Sequence, residues 1–183
     1  MALPDFQPSL TGPTMIVRPV CADDWTELFA AGSDPEIWKV HPRSDRYTEP
    51  KFREYFDSAV ASKMAFVFVD RATARLIGSS RYYGYDAALS EIEIGWTFIA
   101  RSHWGGKTNR EVKRLMLDHA FTFVDTVTFW VGEKNWRSQG AMTKIGGVKR
   151  DGLFTRELSG ATPHFIFEIG KKAYLQGGRA LVA

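Results

Sequence analysis

One cysteine, Cys21, is all that this chain of 183 residues contains. No internal disulfide framework can form, and a metal site built on cysteine is disfavoured. Net charge is equally scarce, because 24 Lys and Arg stand against 21 Asp and Glu and leave only +3. That balance does not argue for a nucleic-acid binder, whose basic residues would cluster on one face; it suits a mild attraction for anionic ligands. No stretch approaches the ~20 apolar residues of a membrane-spanning helix. Residues 1–14 hold three prolines and no apolar segment, so a signal peptide is not expected. His41, His103, His119 and His164 show no metal-ligand spacing. Neither nucleic acid, membrane nor metal is therefore an expected partner, and the cytoplasm is the default compartment.

What is present is a globular composition, 44% hydrophobic and 25% charged. The length fits one domain with a proper core. Residues 1–13 read as a flexible N-terminal arm, 14–176 as a single domain and 177–183 as a C-terminal tail. Met15 to Val20 reads as a strand with Pro19 near its end. Asp23 and Asp24 cap a helix running through Trp25, Leu28 and Phe29 to Gly32. After a polar loop, Pro42 to Tyr47, a second helix starts at Thr48-Glu49-Pro50, with Phe52, Tyr55, Phe56 and Ala59 at helical spacing.

Strands follow at Ala65–Asp70, Arg75–Tyr85 and Ser90–Ile99. A loop, Ala100 to Gly106, leads into what reads as the longest helix, with a stripe of Val112, Leu115, Met116, Ala120 and Phe123. A strand at Val127–Val131, a helix at Asn135–Ile145 and an antiparallel pair, Val148–Arg156 with Pro163–Ile169, complete the chain. The order predicts an α+β fold in α/β layers, with a mixed, mostly antiparallel sheet flanked by helices and one βαβ crossover.

The informative segment is Trp104-Gly105-Gly106-Lys107-Thr108-Asn109, where a strand has ended and a helix starts. Free backbone N–H groups and the helix dipole favour a phosphate there. Glycine at 105 and 106 allows close backbone approach, and Arg101, Lys107 and Arg110 add positive charge. A plain helix start explains the same residues. Gly106-Lys107-Thr108 resembles the end of a P-loop, but that motif needs glycine at 101, which is Arg101, and a place near the first strand of a parallel sheet.

Three motifs in order resemble the GNAT acyltransferase superfamily, and within it the branch of ribosomal-protein N-terminal (RimJ/RimL-like) acetyltransferases. Glu93-Ile94-Gly95-Trp96-Thr97-Phe98 is similar to the family's splayed fourth strand. Trp104 to Glu111 is similar to its pyrophosphate loop, W-G-x-G-x-[AN]-x-E, with Lys107 at the second glycine position. Asn135-Trp136-Arg137-Ser138 and Ile145-Gly146-Gly147 resemble the N-x-x-S…K-x-G stretch. The resemblance covers Met15 to about Tyr174.

The resemblance implies a GNAT fold and an N-acetyltransferase with acetyl-CoA as co-substrate, acting by direct attack of a primary amine of a small molecule or a peptide N-terminus. It implies cofactor contacts from Thr97, Phe98, Ile99, Gly105, Gly106, Lys107, Thr108, Asn109 and Arg110, with Asn135 on the pantetheine arm and Ser138 protonating the departing sulfur. Asn135 as a plain N-cap and Ser138 as a first-turn residue stay open. Glu93 is the first candidate for the general base and Glu91 the second. The two share one strand face, and the alternative for both is a solvated edge-strand carboxylate.

Cys21 reads as a small buried residue, and His119 as a packed or solvated helix residue. His103 is a candidate phosphate contact. Trp25, Trp38 and Tyr47, with Arg81 to Tyr85, read either as core or as part of the acceptor pocket. A degenerate CoA-binding domain acting as a sensor is the rival reading, and homodimerisation is open.

Overall fold

The computed structural model describes residues 3–156 and 161–182. The strands among them form one sheet in the order β1-β2-β3-β4-β5-β6-β8-β7. They are β1 (Leu10–Thr11), β2 (Met15–Pro19), β3 (Ala65–Asp70), β4 (Leu76–Asp86), β5 (Glu91–Ile99), β6 (Thr126–Gly132), β7 (Val148–Lys149) and β8 (His164–Gly170). The helices are α1 (Trp25–Gly32), α2 (Pro35–Trp38), α3 (Glu49–Ser62), α4 (Thr108–Ala120), α5 (Trp136–Lys144) and α6 (Lys171–Leu175). Every neighbouring pair is antiparallel except β5 and β6, which run parallel across the α4 crossover. The expected mixed, mostly antiparallel α+β architecture is present.

Helices cover both faces of the sheet, and β3 shows why its apolar residues run without a break. Ala65 and Val67 pack with Leu28, Phe52 and Tyr55 under α1 and α3, while Phe66 and Phe68 join Val112 and Met116 of α4 on the other face. A strand buried on both faces loses the polar alternation of a half-exposed one. Phe52, Tyr55, Phe56 and Ala59 are all buried along α3, as their spacing predicts.

Several expectations change. The longest helix is α3, with 14 residues against 13 in α4. Phe123, expected on the α4 stripe, lies beyond that helix's end and packs against Phe6 and Tyr85. The segment Pro35–Trp38, to which the sequence reading assigns no element, is a short helix capped by Asp34, whose Oδ1 accepts the Glu36 N–H at 3.0 Å. It spans one turn, too short for a periodic signal. Cys21 is exposed rather than buried, because it follows the end of β2 and opens the turn Ala22–Asp24.

The expected arm lies against the domain. Leu10 and Thr11 pair with Val17 and Ile16, Phe6 sits 5.2 Å from the Tyr85 ring, and Gln7 Nε2 donates to the Ala65 carbonyl at 3.1 Å. Burying Phe6 among aromatic rings supplies the reason, since the ring removes a large apolar area from water. The C-terminal segment also packs: Val182 is buried, and Arg179 pairs with Asp118 of α4 at 2.8 Å. Residues 1–2 and 183, the ends of the expected arm and tail, lie outside the described residues.

Candidate active site

The site begins where the parallel pairing stops. β5 and β6 are matched at Glu91–Thr126, Ile92–Val127 and Glu93–Thr128, and the pairing goes no further. β6 continues with β8 through seven matched positions to Gly132, while β5 continues with β4 to Ile99. The two strands therefore part beyond Glu93, and a cleft of about 720 Å³ opens between them.

A bulge helps to set the parting. Ser79 faces Phe98 but Arg81 faces Gly95, so β5 carries one residue more than β4 across this interval. Trp96 absorbs the irregularity with φ at +53°, in the left-handed region. That conformation costs roughly 1–3 kcal/mol for a bulky residue and persists only where neighbours over-determine it. Here Tyr55 Oη donates to the Trp96 carbonyl at 2.9 Å and Ser80 Oγ to the Gly95 carbonyl at 3.1 Å. The Arg81 guanidinium lies 3.6 Å from the centre of the Trp96 ring.

At the open end of the cleft, the Trp104 indole N–H donates to the Ile99 carbonyl at 2.8 Å and ties the loop to the end of β5. Gly105 follows with φ at +74°, which glycine adopts without strain. A Cβ at Gly105 or Gly106 would meet nothing within 4 Å, so these positions face open space. α4 then starts at Thr108 with no side chain capping it. Its first N–H groups have no partner within the helix, and Asn109 and Arg110 line the cleft beside them.

Thr97, Phe98, Ile99, Gly105, Gly106, Asn109, Arg110, Asn135 and Ser138 all line the cleft. Lys107 and Thr108 do not; Lys107 instead accepts the Glu111 N–H through its carbonyl at 2.9 Å. Arg101 turns away to pair with Asp34 at 2.7 Å. His103 lies at the rim, with Nε2 3.2 Å from Asp70 Oδ2. Asn135 is an N-cap: its Oδ1 accepts the Ser138 N–H at 3.2 Å at the start of α5.

Glu93 and Glu91 share a face as expected, but neither lines the cleft or is a solvated edge carboxylate. Arg156 grips Glu93 at 2.5 and 2.9 Å, and Arg150 bridges Glu91 at 2.6 Å to Glu168 at 2.5 Å. Burial pushes the Glu93 carboxyl above its ordinary value, while the hydrogen bonds and charge of Arg156 pull it back. Above it the Arg156 guanidinium lies 4.4 Å from the Trp130 ring and 5.2 Å from Trp96.

Of the residues left open between core and pocket, Trp38 is both: it is buried and borders the cleft beside His41 and Pro42. Burial holds the His41 imidazole neutral, with its pKa lowered to about 3. Trp25 is half-buried against the core and stacks on Phe29 at 5.3 Å, whereas Tyr47 is exposed. Tyr82 is core and donates to the Met116 carbonyl at 2.6 Å. His119 packs beside Tyr82 and Phe123.

Two further residues matter. Arg137 lies 4.1 Å from the Trp104 ring and donates to the Glu36 carbonyl at 3.1 Å, joining α5 to both the loop and α2. Lys113 is buried on α4 and reaches into the cleft. Its place was legible as the position three and four residues beyond Arg110 and Asn109, hence on their helix face. Among the described residues no group of three or more His, Cys, Asp or Glu is placed to hold a metal ion, and no helix is long and apolar enough to cross a membrane.

A parted parallel pair, a glycine turn and an uncapped helix start meet at this one cleft. The family model of the GNAT acetyltransferase domain matches residues 14–148, and the chain belongs to that family. It is accordingly an acetyltransferase, from a family that uses acetyl-CoA and an amine acceptor. The P-loop reading ends here.

Among solved structures, a GCN5-related N-acetyltransferase from Brucella melitensis is similar with a TM-score of 0.83 at 19% identity, over 97% of this chain and 86% of that one. RimJ of Mycobacterium smegmatis, in complex with CoA-disulfide, scores 0.70 at 18% identity over 96% and 92%. Spermidine N-acetyltransferase from Vibrio cholerae, in complex with CoA and spermine, scores 0.68 at 17% over 90% and 99%. No curated protein sequence matches.

Proposed function

We propose that this chain is a cytoplasmic N-acetyltransferase that takes acetyl-CoA into the cleft between β5 and β6 and acetylates a primary amine of a small molecule or a peptide N-terminus. The observation that carries the reading is the end of β5–β6 pairing at Glu93–Thr128, beside the left-handed Trp96 and in line with the uncapped start of α4.

Acetyl-CoA supplies the activated thioester carbonyl. The free edge of β5 at Thr97, Phe98 and Ile99 offers backbone groups to the pantetheine arm, in the manner of an added strand. Gly105 and Gly106, with the amides of Lys107, Thr108, Asn109 and Arg110, receive the pyrophosphate on the positive end of α4. Asn135 holds the start of α5 so that Ser138 borders the arm. Glu93, on the sheet face opposite α4, takes the proton of the acceptor amine through water, and Arg156 fixes its carboxylate. Relatives of this fold whose names specify a ribosomal-protein or polyamine acetyltransferase favour an amine acceptor without choosing between the two.

Thermal shift with acetyl-CoA against ATP-Mg tests the reading. A ligand present at a hundred times its dissociation constant stabilises by about 2.7 kcal/mol. Acetyl-CoA is expected to raise the midpoint and ATP-Mg to leave it unmoved; the reverse would sink the proposal. Gly105→Asp, which forces a carboxylate and a Cβ into a left-handed turn, is expected to weaken CoA at least about tenfold.

A further inference from the structure

Lys113 is the one lysine whose ammonium is held inside the cleft rather than at its rim, among the described residues. Its Nζ donates to Thr97 Oγ1 at 2.7 Å, Thr97 Oγ1 lies 2.7 Å from Ser80 Oγ, and Ser80 donates to the Gly95 carbonyl at 3.1 Å. The Phe129 ring, one residue beyond the last matched pair of β5 and β6, lies 5.4 Å from Nζ. No carboxylate among the described residues forms an ion pair with it, whereas the buried carboxylates Asp24 and Glu93 each pair with an arginine. An ammonium has three protons to give, and a single hydroxyl accepts one of them.

The geometry points to Lys113 as the acid that meets the departing sulfur of CoA. This rests on the acetyl-CoA reading above: an arm lying along the free edge of β5, from the helix start towards the last matched pair, brings its thiol end into the narrowing throat where Nζ stands. In the step, the acceptor nitrogen bonds to the acetyl carbon and the carbon–sulfur bond breaks, leaving its electron pair on sulfur. Lys113 passes one proton to that thiolate. The neutral amine then recovers a proton from solvent, to which the acceptor nitrogen's own proton passes by way of Glu93.

Burial alone brings the Lys113 pKa down to about 7, with no charged group on β4, β5, β6 or its own helix contributing. An acid of that strength can protonate a thiolate whose thiol has a pKa of about 8.5. Ser138, which also borders the cleft, carries no charge with which to hold a thiolate.

The test needs no acceptor. The thiol of bound CoA is titrated by its ultraviolet thiolate absorbance, with the desulfo-CoA complex as blank and calorimetry to show that both ligands bind. In the native protein the bound thiol and Lys113 are expected to titrate as a coupled pair, with thiolate appearing from at least about one unit below the ~8.5 of a free thiol. Lys113→Met and Lys113→Gln are expected to return it to the free value while binding desulfo-CoA within about threefold of the native affinity. If CoA and desulfo-CoA both fail to bind the native protein, the acetyl-CoA reading falls. If they bind but the native complex titrates like free CoA, or the variants leave the shift intact, Lys113 is not the acid.

Discussion

Glu93 and Lys113 lie on opposite faces of β5, both nearly inaccessible to water, and they are treated in opposite ways. Glu93 is clamped by two hydrogen bonds from a guanidinium. Lys113 meets a hydroxyl and an aromatic ring. A buried charge with a full partner has been committed to the fold, whereas one without a counter-ion costs stability and is kept for something that arrives later. The contrast separates a carboxylate whose position an arginine fixes from an ammonium that has no counter-ion among the described residues.

Breaking the committed pair has the largest expected effect. Arg156→Ala leaves a buried carboxylate without its clamp and should cost about 3–5 kcal/mol, read as a lower midpoint in urea unfolding. Next is Glu93→Gln, which keeps the shape and removes the proposed base. Turnover should fall roughly a hundredfold with little change in the Michaelis constant for CoA. Because burial raises the folded Glu93 pKa, activity in the native enzyme falls as pH drops through that raised value. The variant should lose this acid limb, and an unchanged profile would move the base role elsewhere.

The smallest effect has the opposite sign. Lys113→Met replaces an uncompensated charge by an apolar chain of similar length and should stabilise the protein by about 1–2 kcal/mol at neutral pH. The folded pKa of Lys113 lies below its unfolded value, so between pH 7 and 10.5 the unfolded chain binds more protons. Native stability therefore rises with pH across that window, and the variant should lose this rise. Denaturation at three pH values measures it.

Much of the fold was legible because burial leaves a period. Phe52, Tyr55, Phe56 and Ala59 announced α3, and Val112 with Met116 announced α4. The glycine turn and the residues around it announced where the cleft would open. What stayed hidden depends on chain segments far apart in sequence. Nothing local to Glu93 shows that Arg156 will cross the sheet to hold it, and nothing local to Trp96 shows that it will adopt a left-handed conformation. Leu10 and Thr11 make a strand because β2 offers an edge, and two residues carry no alternation to read.

The three matched positions joining β5 to β6 carry one more consequence. On one side lie five strands and on the other three, so the sheet is bound like a book along a short spine. Opening free energy is lowest where few backbone bonds must break, and the end of this spine is such a place. A guest that hydrogen-bonds along the free edge lengthens the binding. Its grip and the stiffness of the sheet then become one quantity, and the enzyme is firmest while it holds its donor.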